Sequence, residues 1–252
     1  MSEILDAADN GEGRGVIVEC CDLGRVYRMG SQEVRALHGV NLAILHGEYL
    51  SVMGPSGSGK STLFNLIGAL DKPTSGSVRI GGVDLTRQNS RALAFFRNRH
   101  IGYVFQAFNL IASLTAQRNV MLPLIFSGMS DADALKRSAE VLDTVGLGQR
   151  LDHRPGQLSG GQQQRVAIAR ALAMRPTIIL ADEPTANLDL HTGEEIIQLL
   201  KKLSRDFNTT VITATHDHKM LDVSDRILWI KDGSIERLEE RKDLVIKVGR
   251  VG

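Results

Sequence analysis

Cysteine is nearly absent: the chain holds two, Cys20 and Cys21, and they are adjacent. Neighbouring strand residues point to opposite faces, so this pair excludes an ordinary disulfide or a zinc site and reads as reduced strand residues. No charge of one sign prevails, because 30 Lys and Arg meet 29 Asp and Glu for a net charge of +1. That balance removes the global basic field that would argue for nucleic acid, and leaves only a local patch open. Long hydrophobic runs are missing as well: no apolar stretch approaches the roughly 20 residues that span a bilayer. The first residues are polar and acidic rather than basic and then apolar, so the expectation is a chain that stays in the cytosol. Internal repeats and low-complexity tracts are also lacking. What is present is 252 residues with 42% hydrophobic content, enough to bury the core of one large α/β domain or of a domain with a subdomain.

The most informative stretch is Gly54-Pro55-Ser56-Gly57-Ser58-Gly59-Lys60-Ser61. It follows the apolar run Tyr49-Leu50-Ser51-Val52-Met53 and precedes a segment in which Leu63, Leu66, Ile67 and Leu70 fall at helical spacing. A glycine-rich turn between strand and helix wraps a phosphate with its backbone N–H groups, and the helix N-terminus adds its dipole. Lys60 then places a positive charge between the β- and γ-phosphates, Ser61 offers its hydroxyl to Mg²⁺, and Thr62 completes the candidate phosphate-binding set.

A second chemical group closes the apolar run Ile178-Ile179-Leu180-Ala181, which ends abruptly in Asp182-Glu183. Buried carboxylates are costly unless they have a cation or a partner, so a pair at the end of a parallel strand points to a metal and catalytic edge. Asp182 is expected to hold Mg²⁺, directly or through water, and Glu183 to act as general base toward water. A third group, Leu158-Ser159-Gly160-Gly161-Gln162, opens a helix expected to run from Gln162 to about Met174. Ser159 serves there as a hydroxyl or a helix cap, and the helix dipole favours an anion.

Along the chain, residues 1 to about 15 lack periodicity and read as a mobile leader. From Val16 to Ile80, β-rich runs such as Val16–Cys20 and Val40–Ile44 alternate with turns. Between Gln106 and Leu158 the pattern turns helical, with Asp131 as a cap and Leu135, Leu142 and Val145 on one face, and this reads as an inserted helical subdomain, about 107–160. Thr177–Ala181 and Thr210–Ala214 read as buried strands around a helix carrying Ile196, Ile197, Leu200 and Leu203. That order predicts a parallel sheet. One domain is expected over 16–238, followed by a tail, 239–252, that receives no role.

Taken together, the three motifs make the chain resemble the nucleotide-binding subunit of ABC transporters, a P-loop ATPase, over nearly all of Val16 to Leu238. The resemblance implies further roles. Gln106 matches the family's Q-loop glutamine, which contacts Mg²⁺ and lies near the transmembrane partner, and Asn187-Leu188-Asp189 matches the D-loop. His216 matches the switch histidine that senses γ-phosphate, and Tyr27 the aromatic residue that stacks on adenine. Ser159, Gly160, Gly161 and Gln162 form the signature that closes on nucleotide held by another chain, so the resemblance implies ATP, Mg²⁺, a second ATPase chain and an integral membrane permease.

Ala69–Gly76, Val104–Leu110 and Asn119–Leu124 are similar to the ATPases of lipoprotein-release, macrolide-export and antimicrobial-peptide-export systems. Ala186 departs from the Gly that many of these carry before Asn-Leu-Asp. The apolar residues after Gln106, Phe108, Leu110 and Ile111, are a candidate seat for a permease's cytoplasmic helix, with ordinary core packing as the alternative. The expected function is an ATPase powering export or extraction from the cytoplasmic face of the inner membrane. Two alternatives stay open: a cell-division ATPase signalling through a membrane partner, and a soluble ABC ATPase acting on nucleic acid or the ribosome.

Overall fold

A computed structural model of the chain describes residues 14–30, 32–215 and 218–241. Most of the expected leader and tail, and His216, lie outside the described residues.

Two sheets organise the molecule. A four-stranded antiparallel sheet has the order β2-β1-β4-β5, built from β1 (Val16–Met29), β2 (Gln32–Leu45), β4 (Ser75–Ile80) and β5 (Val83–Asp84). A six-stranded sheet has the order β10-β9-β3-β8-β7-β6, from β3 (Tyr49–Met53), β6 (Ile101–Val104), β7 (Ile178–Asp182), β8 (Thr210–Ala214), β9 (Arg226–Lys231) and β10 (Ser234–Glu240). Every neighbour pair in it is parallel except the edge hairpin β9–β10. The expected parallel sheet is therefore present, with one antiparallel edge. β10 runs through Glu240, two residues into the segment expected as a tail, and the Trp229 indole N–H donates to Glu239 at 2.8 Å.

The central strands read as continuous apolar runs because both of their faces are covered. Successive residues point to opposite sides, and the burial follows that period. Leu50, Val52, Ile178, Leu180 and Ile212 join a core with the antiparallel sheet and α1 (Lys60–Ile67). Tyr49, Ile179, Ala181 and Val211 join a second core with α3 (Ala116–Phe126), α4 (Asp131–Thr144), α5 (Gly160–Leu172) and α6 (Leu190–Phe207). α2 (Ser90–His100) lies before β6. One sheet thus separates two cores, and its buried polar residue Ser51 is satisfied by Thr213 at 3.0 Å and Ser224 at 2.7 Å.

Several local expectations need correction. Leu70 is exposed, because α1 stops at Ile67 and Ala69 turns the chain with φ 53°, so the buried face is Leu63, Phe64, Leu66 and Ile67. In α4 the cap is Ser130, whose hydroxyl accepts from the Asp133 N–H, and not Asp131, which begins the helix proper. Leu135 is exposed, and the buried face runs through Ala134, Ser138, Val141 and Leu142. α5 starts two residues before Gln162, inside the Gly-Gly pair, since Ser159 is its cap.

Candidate functional site

The Gly54–Ser61 loop joins the C-terminal end of β3 to α1, where open parallel sheets place their ligand crevices. Two of its glycines are required by geometry. Gly54 has φ 156°, and a Cβ there would lie 2.2 Å from the Ile230 carbonyl oxygen. Gly59, the N-cap of α1, has φ 108°, and a Cβ would meet the Ala36 carbonyl oxygen at 2.7 Å. No side chain caps α1 and no acidic residue occupies its first turn, so its leading N–H groups face the loop without intrahelical partners. The Lys60 ammonium donates to the Gly54 and Pro55 carbonyls at 2.7 and 2.9 Å. The Ser58 Oγ is buried and without a hydrogen-bond partner among the described residues. Uncapped N–H groups, a buried ammonium held by neutral carbonyls and an orphaned hydroxyl, around a loop that admits no Cβ at Gly54 or Gly59, form a cradle for a polyanion.

The cradle opens into a cavity of about 820 Å³ walled by Gly54, Pro55, Ser56, Gly57, Gly59, Lys60, Ser61 and Thr62, with Gln106, Asp182 and Glu183 opposite. Asp182 ends β7, paired with Ala214 of β8, and Glu183 follows at φ 45°, its N–H donating to the Ala214 carbonyl at 2.9 Å. Burial, reinforced by the Glu183 charge, raises the Asp182 carboxyl above its ordinary range, and the Lys60 charge partly offsets this. A carboxyl in that setting suits a divalent cation, which favours the charged form. Among the described residues no cluster of three His, Cys, Asp or Glu could hold a metal alone, so Ser61, Asp182 and Gln106 fit an ion that shares its shell with phosphate oxygens and water.

Other expected residues fall outside this cavity. Tyr27 pairs directly with Val34, which walls it, so the two share a sheet face. The Tyr27 hydroxyl donates to Asp71 at 2.9 Å, and the Arg25 guanidinium sits 4.6 Å from its ring centre. Ser159, Gly160, Gly161 and Gln162 are not part of the cavity wall. Ser159 and Gln162 make a reciprocal capping box at 3.3 and 3.1 Å, and a Cβ at Gly161 would lie 2.3 Å from Thr192 of α6. Asp189 caps α6, accepting from the Thr192 N–H at 3.0 Å, and hydrogen bonds from the Thr192 side chain and then its backbone hold its carboxyl below the usual range.

Asn187 reaches back, donating to the Gln106 carbonyl at 2.9 Å. Ala186 keeps out of the left-handed region that glycine favours, which is why the chain accepts alanine there.

Sequence reading missed Val34, Arg35, Ala36, Asp232 and Gly233 in the cavity wall. Asp232-Gly233 carried a signal: both have positive φ, 47° and 76°, and Asp-Gly marks a two-residue hairpin turn, here the one joining β9 to β10. The residues of β2 carried none.

An apolar groove of about 780 Å³ lies between α2, β6 and α3, lined among others by Phe95, Tyr103, Phe105, Asn109, Pro123 and Phe126. Of the expected seat after Gln106, Leu110 packs against the core while Ile111 is exposed, and Phe105 and Asn109 beside them line the groove.

A profile of the ABC transporter family matches residues 37–186. An uncharacterised ABC transporter ATP-binding protein of Thermotoga maritima is 51% identical over 89% of this chain and 96% of its own length. The lipoprotein-releasing system ATP-binding protein LolD of Geobacter metallireducens is 46% identical over 87% of this chain and 97% of its own. An ATP-binding cassette from Methanocaldococcus jannaschii, solved as a dimer in a post-hydrolysis state with ADP and Pi, superposes with a TM-score of 0.83. It is 49% identical and covers 90% of this chain and all of its own. With its phosphate cradle, its carboxylate edge and these relatives, the chain belongs to the ABC transporter family, as one of its ATPases.

Proposed function

We propose that this ATPase powers a membrane transporter that exports or extracts a lipoprotein, peptide or drug-like substrate, acting peripherally at the cytoplasmic face of the inner membrane. One observation carries the reading: the cavity holds the cradle and the carboxylates, while the signature residues Ser159 to Gln162 stay outside it. A second chain placed head to tail supplies that missing wall, as befits a relative solved as a dimer. The likeness to LolD supports lipoprotein release as the type of work.

In this reading the loop N–H groups and Lys60 hold the β- and γ-phosphates of ATP, and the helix dipole of α1 adds to the attraction. Mg²⁺, when bound, neutralises charge on the phosphates. Ser61, Asp182 and Gln106 would hold it. Glu183 accepts a proton from the attacking water, and Tyr27 stacks on the base. His216, outside the described residues, senses the γ-phosphate. Ser159 and Gly161 of the opposite chain bind that same phosphate, so hydrolysis removes the contact that holds the chains together. The apolar groove takes a cytoplasmic helix of the permease; its rim residues Phe126 and Phe95 are 78% and 58% exposed, an apolar surface that lacks a cover in one chain.

The test is capture from native membranes with Glu183→Gln and ATP. Recovery of a permease with few spans and a large extracytoplasmic domain supports the proposal, and the type of that domain separates cargo extraction from division signalling. Recovery of only ribosomal or DNA-associated proteins overturns it.

A further inference from the structure

Gln164 lies in the second turn of α5, five residues past the Ser159 cap, and is fully buried. Its amide Nε2 donates to the Pro184 carbonyl at 2.7 Å. Its Oε1 has no hydrogen-bond partner among the described residues. A core position filled only for packing is better served by an apolar side chain, since a buried amide with one half unsatisfied is costly. The side chain is therefore placed for its one donation, and the acceptor is the carbonyl of Pro184, the residue next to Glu183 in the same turn.

That turn needs holding. Glu183 is a non-glycine residue at φ 45°, a conformation that persists only where surroundings over-determine it. Its N–H donates to the Ala214 carbonyl at 2.9 Å, and its own carbonyl accepts from Ala186 at 3.2 Å. Both of those restraints come from β8 and from the turn itself. The Gln164 bond comes instead from the helix that the signature opens.

We propose that Gln164 is a positioning residue: it fixes the backbone that aims Glu183, and so ties the signature of one ATP site to the general base of the other. The second half rests on the head-to-tail dimer proposed above, in which Glu183 serves the chain's own nucleotide and Ser159 the partner's. A displacement of α5 on engaging the partner's nucleotide then reaches Glu183 through a single hydrogen bond.

The experiment compares full-length Gln164→Met, which keeps length and loses the donor, with Gln164→Asn, which keeps an amide but falls one methylene short. Steady-state hydrolysis, thermal melting and ATP-dependent dimerisation in the Glu183→Gln background are read for each. The expected result is a kcat lower by roughly 10- to 100-fold, the scale of a misaimed catalytic group, with KM within about three-fold. Dimerisation of the double variants should match that of Glu183→Gln alone. Wild-type kcat in either variant overturns the proposal, as does a lost rate accompanied by lost dimerisation, which marks general damage to α5. If Gln164→Met does not fold, Gln164→Asn decides by the same criteria. Failure of Glu183→Gln itself to dimerise with ATP refutes the dimer reading instead, and with it the tie between sites, while the kcat comparison still decides the aiming of Glu183.

Discussion

Lys60 and Asp182 share one cavity but answer to opposite demands. Lys60 is held by two neutral carbonyls, so its charge remains for an anion. Lys60→Ala should weaken ATP binding on the order of 10- to 100-fold, the loss of a charge-assisted contact of about 1.5–3 kcal/mol, measurable by titration with a non-hydrolysed ATP analogue. Normal affinity in that variant would contradict the cradle.

Asp182 is raised by burial and then by Glu183, so its contribution to folding is fully present below the unfolded carboxylate range and is lost as pH rises through the folded value. Once ionised, the side chain carries an unfavourable charge in the empty protein. Asp182→Asn should raise the melting temperature of the nucleotide-free protein wherever wild-type Asp182 is ionised, and should abolish the Mg²⁺ dependence of nucleotide binding. The gain should shrink as pH falls and wild-type Asp182 takes up its proton; a gain independent of pH would contradict the assignment.

Elements decide where these residues can stand. The turn from β3 into α1 passes under the edge hairpin, and Gly54→Ala places a methyl group against the Ile230 carbonyl. That variant should lose stability by about 1–3 kcal/mol and lose ATP affinity with it, by denaturant unfolding and titration. On the groove, Phe126 is so exposed that Phe126→Asp should leave stability within about 0.5 kcal/mol while reducing recovery of the permease from membranes.

The elements that bear the chemistry were legible in the sequence because each couples a strand period to a special residue: Tyr49–Met53 into Gly54, and Ile178–Ala181 into Asp182. Helix ends were less legible. Leu70 and Leu135 fit a helical period, but Ala69 turns the chain before Leu70, and Ser130 sets the phase of α4 so that Ala134 and Ser138 face inward. The wall from β2 was not legible at all: Val34 and Arg35 pair locally with Tyr27 and Val26, and this end of β2 comes to the cavity only by packing Ala36 against Gly59 and Gly233.

At the scale of the whole molecule, the six-stranded sheet divides two cores, and each carries a different part of the site. The core shared with the antiparallel sheet supports α1 and its cradle, and the helical core supports α5 with the signature at its start. Both cores pack on the one sheet, and side-chain hydrogen bonds near the site add to that tie: Asn187 to the Gln106 carbonyl, Gln164 to the Pro184 carbonyl, and Arg170 to the Phe108 carbonyl at 2.9 Å. Among the described residues no helix is long and apolar enough to cross a membrane.

The central claim is that one chain holds half of each ATP site, and the size of Glu183→Gln in solution tests it most directly. Light scattering with ATP and Mg²⁺, and again with ADP, should give a dimer in the first case and a monomer in the second. A monomer under both conditions, with ATP shown to be bound, would contradict it.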